Sequence, residues 1–181
     1  MTEENIKLFD SELKVMDVLW KDGDVPAKYV ADTLNREVGW NKNTTYTLIK
    51  RCINKGAIER TEPGFMCHAL IAKEQVQDLE TDELIDNMKS SIDLGVTSFD
   101  TAEIYADTLC ESQIGEAFAK DPALRGKVEL ISKTGIYKQE INGESFGYYN
   151  TTYDRIVRSC KESLQRLHTD YLCLLYTSDA A

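Results

Sequence analysis

The chain has 181 residues, 42% of them hydrophobic, and a formal net charge of −10. That length holds one large or two small domains with ordinary apolar cores. No apolar run approaches the roughly 18 residues of a membrane-spanning helix, and the acidic opening MTEENIKLFD has no apolar stretch of signal-peptide length, so neither a membrane span nor a leader is expected. The five cysteines (Cys52, Cys67, Cys110, Cys160, Cys173) are odd in number and never fall in a C-x-x-C spacing. Reduced thiols in a cytoplasmic protein are expected, with no disulfide framework and no metal site.

The charge is unevenly spread. Residues 1–64 carry 10 Lys/Arg against 11 Asp/Glu, whereas residues 65–181 carry 11 against 20. Within the first part, Lys42, Lys50, Arg51, Lys55 and Arg60 are opposed between Trp40 and Arg60 by Glu59 alone. Such a basic island in an acidic chain points to an anionic partner for that segment.

The first element is a helix from about Phe9, with Leu13, Met16, Val18, Leu19 and Trp20 at threes and fours, an expected cap at Asp10 and Ser11, and a stop at Gly23. A second helix is expected from Pro26, with Tyr29, Val30, Leu34 and Val38 as its apolar stripe up to Gly39. A third follows GWNKN. Its expected inner face is Tyr46, Leu48, Ile49, Cys52 and Ile53; its outer face carries Thr44, Thr47, Lys50 and Arg51; Gly56 closes it. AIERTEPGFMCHALI then reads as two strands around a Glu-Pro-Gly turn.

Three short helices followed by a hairpin is the order of a winged helix-turn-helix, in which the third helix enters the DNA major groove. Cations and small donors on one exposed helical face can pair with phosphates and base edges. The candidate DNA contacts are therefore Lys42, Asn43, Thr44, Thr47, Lys50 and Arg51, with Arg60 in the wing. His68 lies in the second wing strand and is expected to pack or face the surface.

The stretches SELKVMDVLW, TTYTLIKRCINKGAIERTEPGF and CHALIAKEQVQ resemble the penicillinase-repressor (BlaI/MecI-type) regulators over roughly residues 5–86. The resemblance implies a transcriptional repressor that binds a palindromic operator on double-stranded DNA as a homodimer, with helix three reading bases and Arg60 contacting phosphate. It also implies a C-terminal helical dimerisation region, and after LETDELIDNM the sequence departs from that pattern.

From Asp82 the chain reads helix (DELIDNMKSSIDLG), strand (VTSFDTA), helix (CESQIGEAFAK), strand (VELISKTG), helix (YDRIVRSCKESLQRL) and strand (YLCLLY). That alternation is the rhythm of a parallel sheet or an arc of a barrel, with chemistry at the carboxyl ends of the strands. Those ends carry Asp100 with Tyr105, and Lys133. A neighbouring ammonium favours phenolate, and a carboxylate can hold that ammonium in place, so the trio could deliver a proton to a carbonyl oxygen.

FDTAEIYADTLCESQIGEAF, LRGKVELISKTGI and SCKESLQRLHTDYL resemble the aldo-keto reductases over residues 84–172. The resemblance makes Asp100, Tyr105 and Lys133 the catalytic Asp, Tyr and Lys of an NADPH-dependent oxidoreductase. Ala106 replaces the Gly usual after the Tyr, and Ser178 stands where the family's His belongs. His168 precedes that strand and should sit at the opposite rim. A whole barrel needs about 250 residues, so a truncated segment with no bound cofactor and no catalysis is expected. Strand faces such as VELI and YLCLLY should lose their covering partners.

The tail CLLYTSDAA resembles a translated sequencing adapter. The expectation is a chimeric reading frame of α+β class: a winged-helix DNA-binding domain (1–83), an incomplete (β/α) barrel fragment with about three parallel strands (84–172), and a non-native tail (173–181). A genuine repressor-reductase fusion is the alternative.

Overall fold

Helix α1 spans Asp10–Asp22 and buries Val15, Met16, Val18 and Leu19. In this computed structural model, which describes residues 6–177, the cap differs from the expected one. Phe9 takes the N-cap position in extended backbone, and its N–H donates to the Glu12 carboxylate at 2.9 Å. The Glu12 carboxylate in the first turn thus satisfies the N-cap residue's own N–H, and the cap expected at Asp10 and Ser11 is replaced by Phe9, whose side chain makes no capping hydrogen bond.

A two-residue strand, β1 (Val25–Pro26), precedes α2 (Ala27–Val38). Pro26 caps that helix from outside in extended backbone. The buried stripe is Ala27, Val30, Ala31, Thr33 and Leu34, while Tyr29 and Val38 are 44% and 36% exposed. Val30 and Leu34 are inward as expected. Tyr29, roughly 100° around the helix from Val30, turns outward.

Helix α3 spans Lys42–Asn54, and the Asn41 side chain caps it by accepting the Thr44 N–H at 2.9 Å. Thr45, Leu48, Ile49 and Cys52 form its buried face. Tyr46 was expected inside and is 42% exposed; Thr45 holds the inward position because it lies three and four residues before Leu48 and Ile49.

Strands β2 (Ile58–Thr61) and β3 (Met66–Ala69) make the expected antiparallel hairpin. β1 adds to the other edge of β3, giving the order β1-β3-β2. Two residues carry no periodicity, so this third strand is invisible in sequence. Trp20 Nε1 donates to the Ile71 carbonyl at 2.9 Å and ties α1 to the chain leaving the hairpin.

The chain divides into two units, Met1–Glu80 and Thr81–Ala181. The division falls inside one helix, α4, which runs Lys73–Asp93 and so begins well before the expected Asp82. In the second unit, β4 (Ser98–Asp100), β5 (Glu129–Thr134) and, after an intervening hairpin, a last strand Leu174–Thr177 form a parallel sheet with β5 in the middle. Helix α5 (Leu109–Lys120) connects β4 to β5, and α6 (Tyr153–Arg166) precedes the last strand. Three parallel strands with helical crossovers are therefore present, as an open sheet.

The intervening hairpin pairs β6 (Ile136–Ile141) with β7 (Glu144–Tyr149), which makes the last strand β8. Its turn is Asn142-Gly143, both at positive φ (53° and 82°), the dipeptide that two-residue hairpin turns favour. Ile85 and Met88 of α4, Ala117 and Phe118 of α5, and Leu124, Val128, Leu130 and Leu167 form this unit's core. VELI is thus better covered than expected, whereas Leu174 and Tyr176 of β8 are 51% and 39% exposed.

Candidate functional site

The first candidate surface is the outer side of α3. Capping by Asn41 starts the helix at Lys42, and burial of Thr45, Leu48, Ile49 and Cys52 turns Lys42, Asn43, Thr44, Thr47, Lys50 and Arg51 to solvent. Asn41, Asn43, Thr44, Thr47, Leu48 and Arg51 line an open concavity of about 380 Å³. The hydroxyl of Thr47 donates to the Asn43 carbonyl at 2.8 Å and that of Thr44 to Asn41 Oδ1 at 3.2 Å, so each exposed hydroxyl still has lone pairs with which to accept.

The cations on this surface are not equivalent. Lys42 Nζ lies 2.8 Å from Asp32 Oδ1 of α2. The hydrogen bond with Asp32 raises the Lys42 pKa, and the same bond lowers that of Asp32. In the wing, Arg60 Nη2 lies 2.9 Å from Glu62 Oε1, and its guanidinium stacks 3.6 Å from the Phe65 ring centroid. Among the described residues Lys50 and Arg51 are exposed and form no ion pair. His68 bridges Asp24 (Nδ1, 2.9 Å) and Thr61 (Nε2, 2.8 Å), a packing arrangement within the wing.

The second candidate is the cluster at the carboxyl ends of β4 and β5. The parallel register brings Asp100 and Lys133 together, with Lys133 Nζ 2.5 Å from Asp100 Oδ2. The Lys133 ammonium lies 4.9 Å from the Tyr105 ring centroid and 5.3 Å from that of Tyr176. Burial alone would depress the Lys133 pKa, but hydrogen bonds with Asp100, Tyr105 and Tyr176 outweigh it and hold the pKa above the ordinary lysine value. The group is a fixed cation.

Tyr105 opens a 3-10 turn, Tyr105–Thr108, in which Ala106, Asp107 and Thr108 all take positive φ (47°, 52° and 77°). Lys138 of β6 clasps Asp107 at 2.5 Å. Tyr176 escaped the sequence reading: it pairs with Lys133 in the β5–β8 register, and its hydroxyl reaches Asp100 Oδ1 at 3.4 Å. Exact strand register was the missing signal. Ser178 lies outside the described residues. His168 is exposed between α6 and β8, away from the cluster's sequence positions.

Among the described residues no group of three or more His, Cys, Asp or Glu could hold a metal ion, and no helix is long and apolar enough to cross a membrane.

A three-helix unit with a hairpin wing and a cationic third helix defines a winged-helix class of protein, here continued into a parallel α/β fragment. Residues 8–111 match the penicillinase repressor family and residues 71–180 the aldo/keto reductase family, so the chain belongs to both, a combination that a fusion of the two explains. Oxidoreductase YdhF of Escherichia coli (strain K12) is 40% identical over 93 residues, which are 51% of this chain and 31% of that protein. The DNA binding domain of the repressor BlaI, solved in solution, is 28% identical, with 41% of this chain and 93% of that chain covered and a TM-score of 0.38. An aldo-keto reductase from Klebsiella pneumoniae in complex with NADPH is 29% identical, with 56% and 31% covered and a TM-score of 0.40. The chain spans about a third of the length of the curated reductases it matches.

Proposed function

We propose that the chain acts as a sequence-specific DNA-binding repressor through its first unit. The carrying observation is the outer side of α3, where Lys50 and Arg51 stand exposed, without an ion pair among the described residues, beside the exposed hydroxyls of Thr44 and Thr47. Lys50 and Arg51 would meet phosphates or base edges, Asn43, Thr44 and Thr47 would read or position, and Lys42 and Arg60 would pair with backbone at either side. Each phosphate neutralised adds about 0.9 to the slope of log affinity against log salt. Double substitution Lys50→Ala and Arg51→Ala should therefore weaken binding and flatten that slope by up to about 2. Unchanged affinity and slope, read by fluorescence anisotropy on duplex DNA, would remove this reading.

The repressor's palindromic operator and homodimer follow only by likeness to the family. Ile85 and Met88 of α4 are already spent in the core of the second unit, and we place the join of the two families in α4 between Leu84 and Lys89. A monomer on one half-site is the expected complex, weaker by orders of magnitude than a dimer on two. A break in the reading frame at those codons in source DNA would mark the fusion as a chimera.

A second reading, NADPH-dependent carbonyl reduction, is favoured by the Asp100–Lys133–Tyr105 cluster. The cluster supplies only the proton-delivering trio: Asp100 holds the Lys133 ammonium, and Tyr176 hydrogen-bonds with both. The chain spans about a third of the curated reductases it matches, whereas a whole barrel needs about 250 residues. No saturable NADPH binding is expected in a fluorescence titration, and saturation would revive the reductase reading.

A further inference from the structure

Of the four cations placed against DNA, two carry their own anion. Lys42 is held by Asp32 from the neighbouring helix α2 at 2.8 Å, and Arg60 by Glu62 at the start of the wing turn at 2.9 Å. Both carboxylates are in water, their side chains 49% and 60% exposed. They are not the buried partners a fold requires. Surface pairs of this kind contribute little to folding, so their position is the feature that needs a reason.

A phosphate approaching either cation meets a carboxylate within a few ångströms of the same nitrogen. It must displace that carboxylate or bind beside it against like-charge repulsion, and either route forfeits part of the attraction. For Arg60 the alternatives are narrowed further, because the Phe65 ring covers one face of the guanidinium at 3.6 Å. A surface with four cations therefore presents the net attraction of about two.

We infer that Asp32 and Glu62 are internal competitors of the DNA phosphates for Lys42 and Arg60, and so set an upper limit on affinity that is independent of sequence. This rests on the DNA-binding reading above. Such competition would suppress binding to arbitrary DNA while leaving Lys50, Arg51, Thr44 and Thr47 to discriminate sites.

The test uses the full chain and a mixed-sequence duplex, with anisotropy titrations across a range of salt. Asp32→Asn and Glu62→Gln keep the side-chain shape and remove the charge. Each should tighten binding at low salt roughly threefold or more, and steepen the salt slope by up to about 0.9. Asp17→Asn is the control: it removes the same charge from α1, where Asp17 pairs with Lys73 at 3.0 Å. If Asp32→Asn and Glu62→Gln bind no tighter than Asp17→Asn, or bind more weakly because the carboxylates position the cations, the inference is overturned while the DNA-binding reading stands. If the wild-type chain binds no duplex, both fall together.

Discussion

Glu12 of α1 and Lys55, the residue just past α3, form an ion pair of 2.6 Å in which the Glu12 side chain is only 3% exposed. Lys55 also donates to the Lys7 carbonyl at 2.8 Å and sits 4.4 Å from the Phe9 ring centroid. The end of α3 is thereby pinned to the start of α1. Burial pushes the Glu12 pKa up, but the hydrogen bonds from Lys55 and the Phe9 N–H more than offset it and hold the pKa below the ordinary 4.5.

A carboxyl group whose folded pKa lies below its unfolded value stabilises the fold fully above the unfolded pKa and loses that contribution as pH falls through the folded one. Thermal unfolding of the first unit should accordingly shift to lower temperature as pH drops below about 4.5. Glu12→Gln should cost about 1–3 kcal/mol at neutral pH and should flatten the acid limb. An acid limb of the same depth in the variant would show that Glu12 is not the titrating group.

Gly115 sits where α5 crosses the end of α6. A Cβ there would lie 1.9 Å from the Arg166 carbonyl oxygen and 2.9 Å from its carbon, both backbone atoms. Gly115→Ala must force the helices apart and should destabilise the second unit by about 2 kcal/mol or more. A urea midpoint unchanged from wild type would mean that the two helices do not meet at this point.

Ala106 takes φ 47° and ψ 39° immediately after Tyr105. Left-handed backbone costs an alanine about 1–2 kcal/mol and a glycine almost nothing, though glycine gives back part of that gain through its freer unfolded chain. Ala106→Gly should stabilise the second unit by about 0.5–1 kcal/mol, seen as a rise in its unfolding midpoint.

Much of this was readable from side-chain periodicity. The helices carrying Val15 to Leu19, Val30 with Leu34, and Leu48 with Cys52 follow from their spacing, and the three parallel strands follow from short apolar runs between helical patterns. What escaped depends on rotation and register. Tyr46 and Tyr29 are apolar enough to join a stripe on paper, yet a turn of about 100° per residue puts them on the wet side. Tyr176 reaches Lys133 only because β8 pairs with β5 in one particular register. The Asn142-Gly143 turn is a legible hairpin signal, but the strands it joins lie within a helix-strand alternation whose rhythm implies crossovers instead. The ion pair of Lys42 comes from a neighbour in space, Asp32 lying one helix away, whereas the partner of Arg60, Glu62, lies only two residues along the chain.

On the reading proposed above, the outer side of α3 reads DNA sequence. The most direct measurement is selection from a randomised pool of DNA duplexes by the full chain, followed by sequencing, in parallel with the Lys50→Ala, Arg51→Ala double variant. Enrichment of one short half-site motif by the wild type and its loss in the variant are expected. A pool that emerges without a motif, or a motif equally enriched by both proteins, would contradict that reading.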